Sequence, residues 1–168
     1  MSGKWSKQSN DGEREAVRIV RDFDFRRTTV FEHFTDPRKA AKLWSPEGAV
    51  KVHFEFDARP GGAIRMHDRH ADGTEGKTTG TVLQVVAPEL LVVSTATAIN
   101  GAAPPFEVLQ TLRFEELGPT RTRLIVLVRL VDLGAFPGDA SDLEGGFRGG
   151  WGQTLDILET ELGSASSS

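Results

Sequence analysis

The stretch VHFEFDARPGGAIRMHD, residues 52–68, constrains the fold more than any other, because it sets two alternating runs on either side of a Pro-Gly-Gly corner. Side chains alternate across a strand with period two, so each run reads as a strand with one buried and one solvated face. Folding the arms about Pro60 and Gly61 with Phe56 opposite Ile64 sets Phe54 against Met66, Glu55 against Arg65 and His53 against His67. Apolar partners then share one face and polar partners the other, and a slip of one residue would destroy that agreement. Glycines at such a corner supply the positive backbone dihedrals of a turn. No helix signal follows them, as a phosphate loop would need for amides and helix dipole to converge on an anion. The corner is therefore read as architecture.

Period two continues through most of the chain. Val17, Ile19, Phe23 and Phe25 share one face of a first strand, interrupted by Arg21. Further strands are expected over 78–86, 90–98, 106–114 and 121–131, separated by ADGTEG, APE, INGAAPP and ELGPT turn segments. Their close spacing predicts an antiparallel meander. Helical signals are fewer. Asp36 before Pro37 marks an N-cap and first helical position, with SPEG closing that helix after Trp44. Thr29 and Glu32 suggest a capping box for a short helix just before it. Leu143, Phe147, Trp151, Leu155, Leu158 and Leu162 recur at three- and four-residue steps, predicting one long terminal helix with a capping box at Ser141 and Glu144. Against that helix stand its own glycines, which make up five of the eight residues 145–152. Either they let the helix pack closely on strands, or this half is marginally helical and gates a cavity mouth with Phe136 and Phe147.

A length of 168 residues suits one core. The polar residues 1–14 and the closing residues 163–168 read as tails around a single domain over 15–162. The absence of cysteine removes disulfides, thiolate metal sites and cysteine nucleophiles. A net charge of -4, with lysines and arginines scattered among acids, provides no basic stripe for nucleic acid. No run is apolar enough to enter a bilayer as a helix, and the amino terminus lacks the apolar stretch of a secretory signal, so a cytoplasmic location is expected.

The candidate chemical motifs have plainer readings. His67, Asp68, His70 and Asp72, with His53 across the hairpin, carry ligand-type atoms, but they run into an Asp-Gly turn on the polar face without tetrahedral-site spacing. No metal is expected. Asp57 and Arg59 read as an ion pair holding the turn rather than an anion clamp. There is no G-x-S-x-G elbow, and GGFRGGWG does not match a dinucleotide fingerprint, so no cofactor is expected either.

The segments FTDPRKAAKLWSPEG, FDARPGGAIRM, GTVLQVVAPELLVV and GGWGQTLDILETEL resemble the Aha-type family of the START and SRPBCC superfamily, named for activators of the heat-shock chaperone ATPase. The resemblance spans about residues 16–162. It implies an α+β helix-grip (START-like) fold, in which a curved antiparallel sheet of about seven strands grips a long C-terminal helix and two short helices follow strand 1. It also implies, in many members, an apolar cavity between sheet and helix. Members bind hydrophobic small molecules, act on them, or have no assigned role.

On that fold the inward positions would be Phe54, Phe56, Ile64, Met66, Val82, Val93, Thr95, Gln110 and Leu112, followed by Val126 and Val128. Trp44 and, from the terminal helix, Phe147, Trp151 and Leu155 complete the candidate cavity set with the first nine. Thr95 and Gln110 interrupt apolar phases, and a polar group facing a core costs about 1–3 kcal/mol unless bonded. They are candidate handles for a ligand, unless they bond each other or a buried water. The expected function is binding of a small apolar or amphipathic molecule. The alternatives are a cyclase- or hydrolase-like enzyme, which would need an inward acid, base or nucleophile, and a chaperone-interacting protein, which would need an exposed apolar patch. A homodimer is compatible with all three.

Overall fold

The computed structural model describes residues 17–44 and 49–166. The elements run β1 (Val17–Phe23), α1 (Arg27–Thr35), α2 (Pro37–Leu43), β2 (Ala49–Phe56), β3 (Ala63–His70), β4 (Glu75–Val86), β5 (Leu90–Ile99), β6 (Phe106–Gly118), β7 (Arg121–Asp132) and α3 (Ala140–Ser166). One curved antiparallel sheet orders them β1-β7-β6-β5-β4-β3-β2. Strands β2 to β7 are the expected meander, and β1 adds to the outer edge of β7, in register from Val17 opposite Val128 to Phe23 opposite Thr122. The fold is the α+β helix grip.

The hairpin register is the one its alternation specifies, with Phe56 opposite Ile64, Phe54 opposite Met66, Glu55 opposite Arg65 and His53 opposite His67. Its two glycines are needed for different reasons. Gly61 has φ +84°. Gly62 has an ordinary φ, but a Cβ there would collide with the carbonyl oxygens of Asp57 and Arg59. Arg59 Nε donates to Asp57 Oδ2 at 2.7 Å, so that pair braces the turn. Gly61 N and Gly62 O bond to Val82 O and N at 2.8 and 2.9 Å, docking the corner on β4.

Bulges bend the sheet and alter the side-chain phase. The register shift between Val82 and Gln84 leaves Leu83 exposed and turns Val85, rather than Gln84, toward the core. Arg21, on the inward face of β1, is not an error in the pattern. Its Nη1 lies 2.7 Å from Asp156 Oδ1 and 3.6 Å from Glu159 Oε1, tying the edge strand to α3.

Asp36 caps α2 as expected, accepting from the amides of Arg38 and Lys39, with Pro37 in the first turn. Residues 45–48, the expected stop signal, lie outside the described residues. Two capping boxes are corrected. Helix α1 begins at Arg27 with no side-chain cap, which puts Thr29 inside its first turn. Helix α3 begins at Ala140, and the reciprocal bonds join Asp139 and Asp142, at 3.0 Å (Asp139 N to Asp142 Oδ2) and 2.9 Å (Asp142 N to Asp139 Oδ1). Aspartate serves both ends of a box as well as Ser with Glu does, and the pair two residues earlier captures the helix start. The α3 stripe is buried throughout except Phe147, which is half-buried. Helix α3 packs against β1, α2 and α1. Where these elements meet, Trp44 and Trp151 stack edge to face at 5.1 Å, Phe34 lies 6.1 Å from Trp151, and Phe31 and Phe34 lie 5.1 and 5.7 Å from Phe114.

Candidate ligand-binding site

Because α3 packs toward β1, the concave face of β3 to β6 is only partly covered, and a cavity of about 380 Å³ remains between sheet and helix. The sheet supplies its floor: Phe56 and Ile64 from the hairpin, Val93 and Thr95 from β5, and Gln110 from β6. Trp44 and Trp151 close one end. At the other, Phe106 lies 5.6 Å from Phe136 and 6.2 Å from Phe147, each pair edge to face. Gly146 and Gly150 line the cavity yet are exposed, so its opening lies beside the first half of α3.

Nine candidates line this space: Trp44, Phe56, Ile64, Met66, Val93, Thr95, Gln110, Phe147 and Trp151. Four do not. Val82, Leu112 and Leu155 are fully buried in the packed core, and Phe54 is half-buried beside Phe56, 6.4 Å between ring centroids. An inward face predicts burial, but whether an inward side chain meets another side chain or empty space depends on where the helix crosses it. Sequence reasoning missed Thr78, Thr97 and Ile99, Phe106 and Leu143, and Gly146, Gly150, Gln153 and Thr154. Some carried a signal: Thr97 continues the parity of Val93 and Thr95, and Thr154 follows Trp151 by three helical positions.

The polar groups are ordered by bonds. Trp151 Nε1 donates to Gln110 Oε1 at 2.9 Å, a buried contact between α3 and β6. Indole can only donate, so the amide oxygen is the bonded atom and the amide nitrogen is turned elsewhere. No hydrogen bond joins Gln110 to Thr95 among the described residues. The hydroxyls of Thr78 and Thr97, opposite each other on β4 and β5, lie 2.9 Å apart.

Charged and titratable groups sit elsewhere. His67 Nε2 lies 3.0 Å from Glu75 Oε1 on the outer face. The His67 and Arg69 bonds hold the Glu75 carboxyl below its usual range. The Arg123 guanidinium, hydrogen-bonded to Asp22, lowers that carboxyl likewise. Buried His33 bonds through Nδ1 to Thr29 O, within α1. Among the described residues, no group of three or more His, Cys, Asp or Glu is placed to hold a metal ion, and no helix is long and apolar enough to cross a membrane.

Against known proteins, the family model described as Activator of Hsp90 ATPase homolog 1-like protein matches residues 24–163. No curated protein matches the chain. Solved structures do. An AHSA1 protein from Silicibacter pomeroyi is 22% identical with a TM-score of 0.75, over 89% of this chain and 99% of that one. A protein from Chromobacterium violaceum is 26% identical with a TM-score of 0.71, over 86% and 94%. One from Arthrobacter aurescens is 23% identical with a TM-score of 0.69, over 93% and 92%.

Proposed function

This chain belongs to the Activator of Hsp90 ATPase homolog 1-like family, and on that premise we propose that it binds a small, largely apolar molecule between its sheet and α3. The observation that carries this reading is a cavity of about 380 Å³ whose walls are mainly aromatic and aliphatic, broken by uncharged polar side chains among which the Gln110 amide is oriented by Trp151. Small-molecule sites have this character, an apolar pocket of about 300–1,000 Å³ with a few placed polar groups. Binding is favoured over catalysis because the described lining residues include no acid, base or activated nucleophile.

The test is saturable uptake of the neutral fluorophore N-phenyl-1-naphthylamine. One probe per chain should bind wild type, and Val93→Phe, which fills the floor, should abolish binding while the protein stays folded by circular dichroism. No saturable uptake by folded wild type would refute the reading. Mass spectrometry of molecules released by organic solvent from natively purified protein would then identify the ligand.

A further inference from the structure

Three polar side chains line the cavity in a particular state. Gln110, Thr95 and Thr154 are 6%, 7% and 9% exposed, so each is more than nine-tenths buried. Gln110 Oε1 is taken by the Trp151 indole. Neither Gln110 Nε2 nor the hydroxyls of Thr95 and Thr154 has a hydrogen-bond partner among the described residues. The Thr78 and Thr97 hydroxyls, by contrast, satisfy each other. None of these three atoms is sealed from solvent, so each is reachable from the cavity, and a ligand that displaces solvent there must replace its hydrogen bonds.

The amide is the most informative of the three. With its oxygen held by Trp151, Gln110 offers the cavity the two N–H donors of its nitrogen. The ligand atom that meets Nε2 must be a hydrogen-bond acceptor. The threonine hydroxyls adapt to either role and add no contrary demand. Every described lining residue is also uncharged. A carboxylate, phosphate or ammonium entering here would lose its hydration with no opposite charge to replace it, which costs far more than one amide bond returns.

Resting on the binding function proposed above, we infer that the ligand is an uncharged, mainly apolar molecule carrying a carbonyl-type oxygen (a ketone, ester, lactone or amide), and that Gln110 Nε2 is the donor to that oxygen. Trp151 is then a positioning residue as well as a wall, since it selects which end of the Gln110 amide faces the ligand.

Equilibrium dialysis of the full chain against three probes of one ring system tests this: 2-acetylnaphthalene (neutral carbonyl), 2-naphthoate (anion) and 2-ethylnaphthalene (no oxygen). Wild type should bind 2-acetylnaphthalene more than about tenfold tighter than 2-naphthoate. Gln110→Leu should weaken 2-acetylnaphthalene by about threefold to tenfold, one net hydrogen bond, and leave 2-ethylnaphthalene unweakened. Thr95→Val, which keeps the Gln110–Trp151 bond, should preserve the preference for ketone over anion. Equal or tighter binding of 2-naphthoate by wild type would overturn the neutral-ligand inference and leave the binding function standing. Unchanged ketone binding in a folded Gln110→Leu protein would overturn the role of Gln110. If none of the three binds wild type while N-phenyl-1-naphthylamine does, the carbonyl inference fails and the binding function stands; if that fluorophore fails too, both fail. The ketone-to-anion comparison in wild type needs no variant, so misfolding of Gln110→Leu cannot rescue the idea.

Discussion

Replacing Gly145 and Gly149 with alanine should make the protein more stable. Both glycines lie inside α3, both are exposed, and a Cβ built on either meets nothing within 4 Å. Close packing against strands is therefore not why they are glycine. Neither has a positive φ, so alanine fits the backbone, and each change removes a helix-interior penalty of about 0.5–1 kcal/mol. The double variant should gain about 1–2 kcal/mol in urea melts. For a domain of this size the thermal midpoint should rise by about 2–4 °C per kcal/mol. The paired variant Gly146→Ala and Gly150→Ala should be stabilised similarly, because those Cβ positions are also open, but its methyl groups stand on the cavity rim and should weaken probe uptake. Amide exchange completes the test: residues 145–150 should exchange faster than Leu155 and Leu158, which are fully buried. A loss of stability in the Gly145/Gly149 variant, or equal protection along the helix, would refute the view that this half of α3 is intrinsically weak.

Further expectations follow from single contacts. Trp151→Ala should cost about 3–5 kcal/mol, because the ring is 3% exposed and its loss also strands Gln110; a urea-melt loss under about 1 kcal/mol would contradict that packing. At the corner, Gly62→Ala should destabilise more than Gly61→Ala. The second pays about 1–2 kcal/mol for its left-handed backbone, whereas the first collides with two carbonyl oxygens; the reverse order in melts would count against the turn geometry. The stability of the protein should fall in acid. Asp36, held down by the Lys39 and Arg38 amides, and Asp22, held down by Arg123, both have carboxyls below the ordinary 3.8. The folded state therefore binds fewer protons than the unfolded one, and this stabilisation is present above about pH 4 and lost as pH falls through the lowered values. Asp36→Asn with Asp22→Asn should flatten the acid limb of a stability-versus-pH curve, and an unchanged limb would show that other groups govern it.

Elements whose identity depends on near neighbours were legible in the sequence. The hairpin register, the meander, the α2 cap and the α3 stripe each follow from period, turn chemistry or capping within a few residues, where one face is buried and a slip would expose it. The errors were local too: Asp139 with Asp142 did the work assigned to Ser141 with Glu144, since several residue types can cap and only the helix start selects among them. The cavity was of another kind. Phase alone makes Leu112 and Gln110 equivalent, two residues apart on the inward face of β6. Only the path of α3 over the sheet decides that one is packed and the other looks into empty space. In the same way, the unpaired polarity of Gln110 is visible in the sequence, but that Trp151 claims its oxygen and leaves its nitrogen for the cavity arises from two residues 41 positions apart. Periodicity determines which side of an element is buried; what the buried side touches is set by how the elements cross.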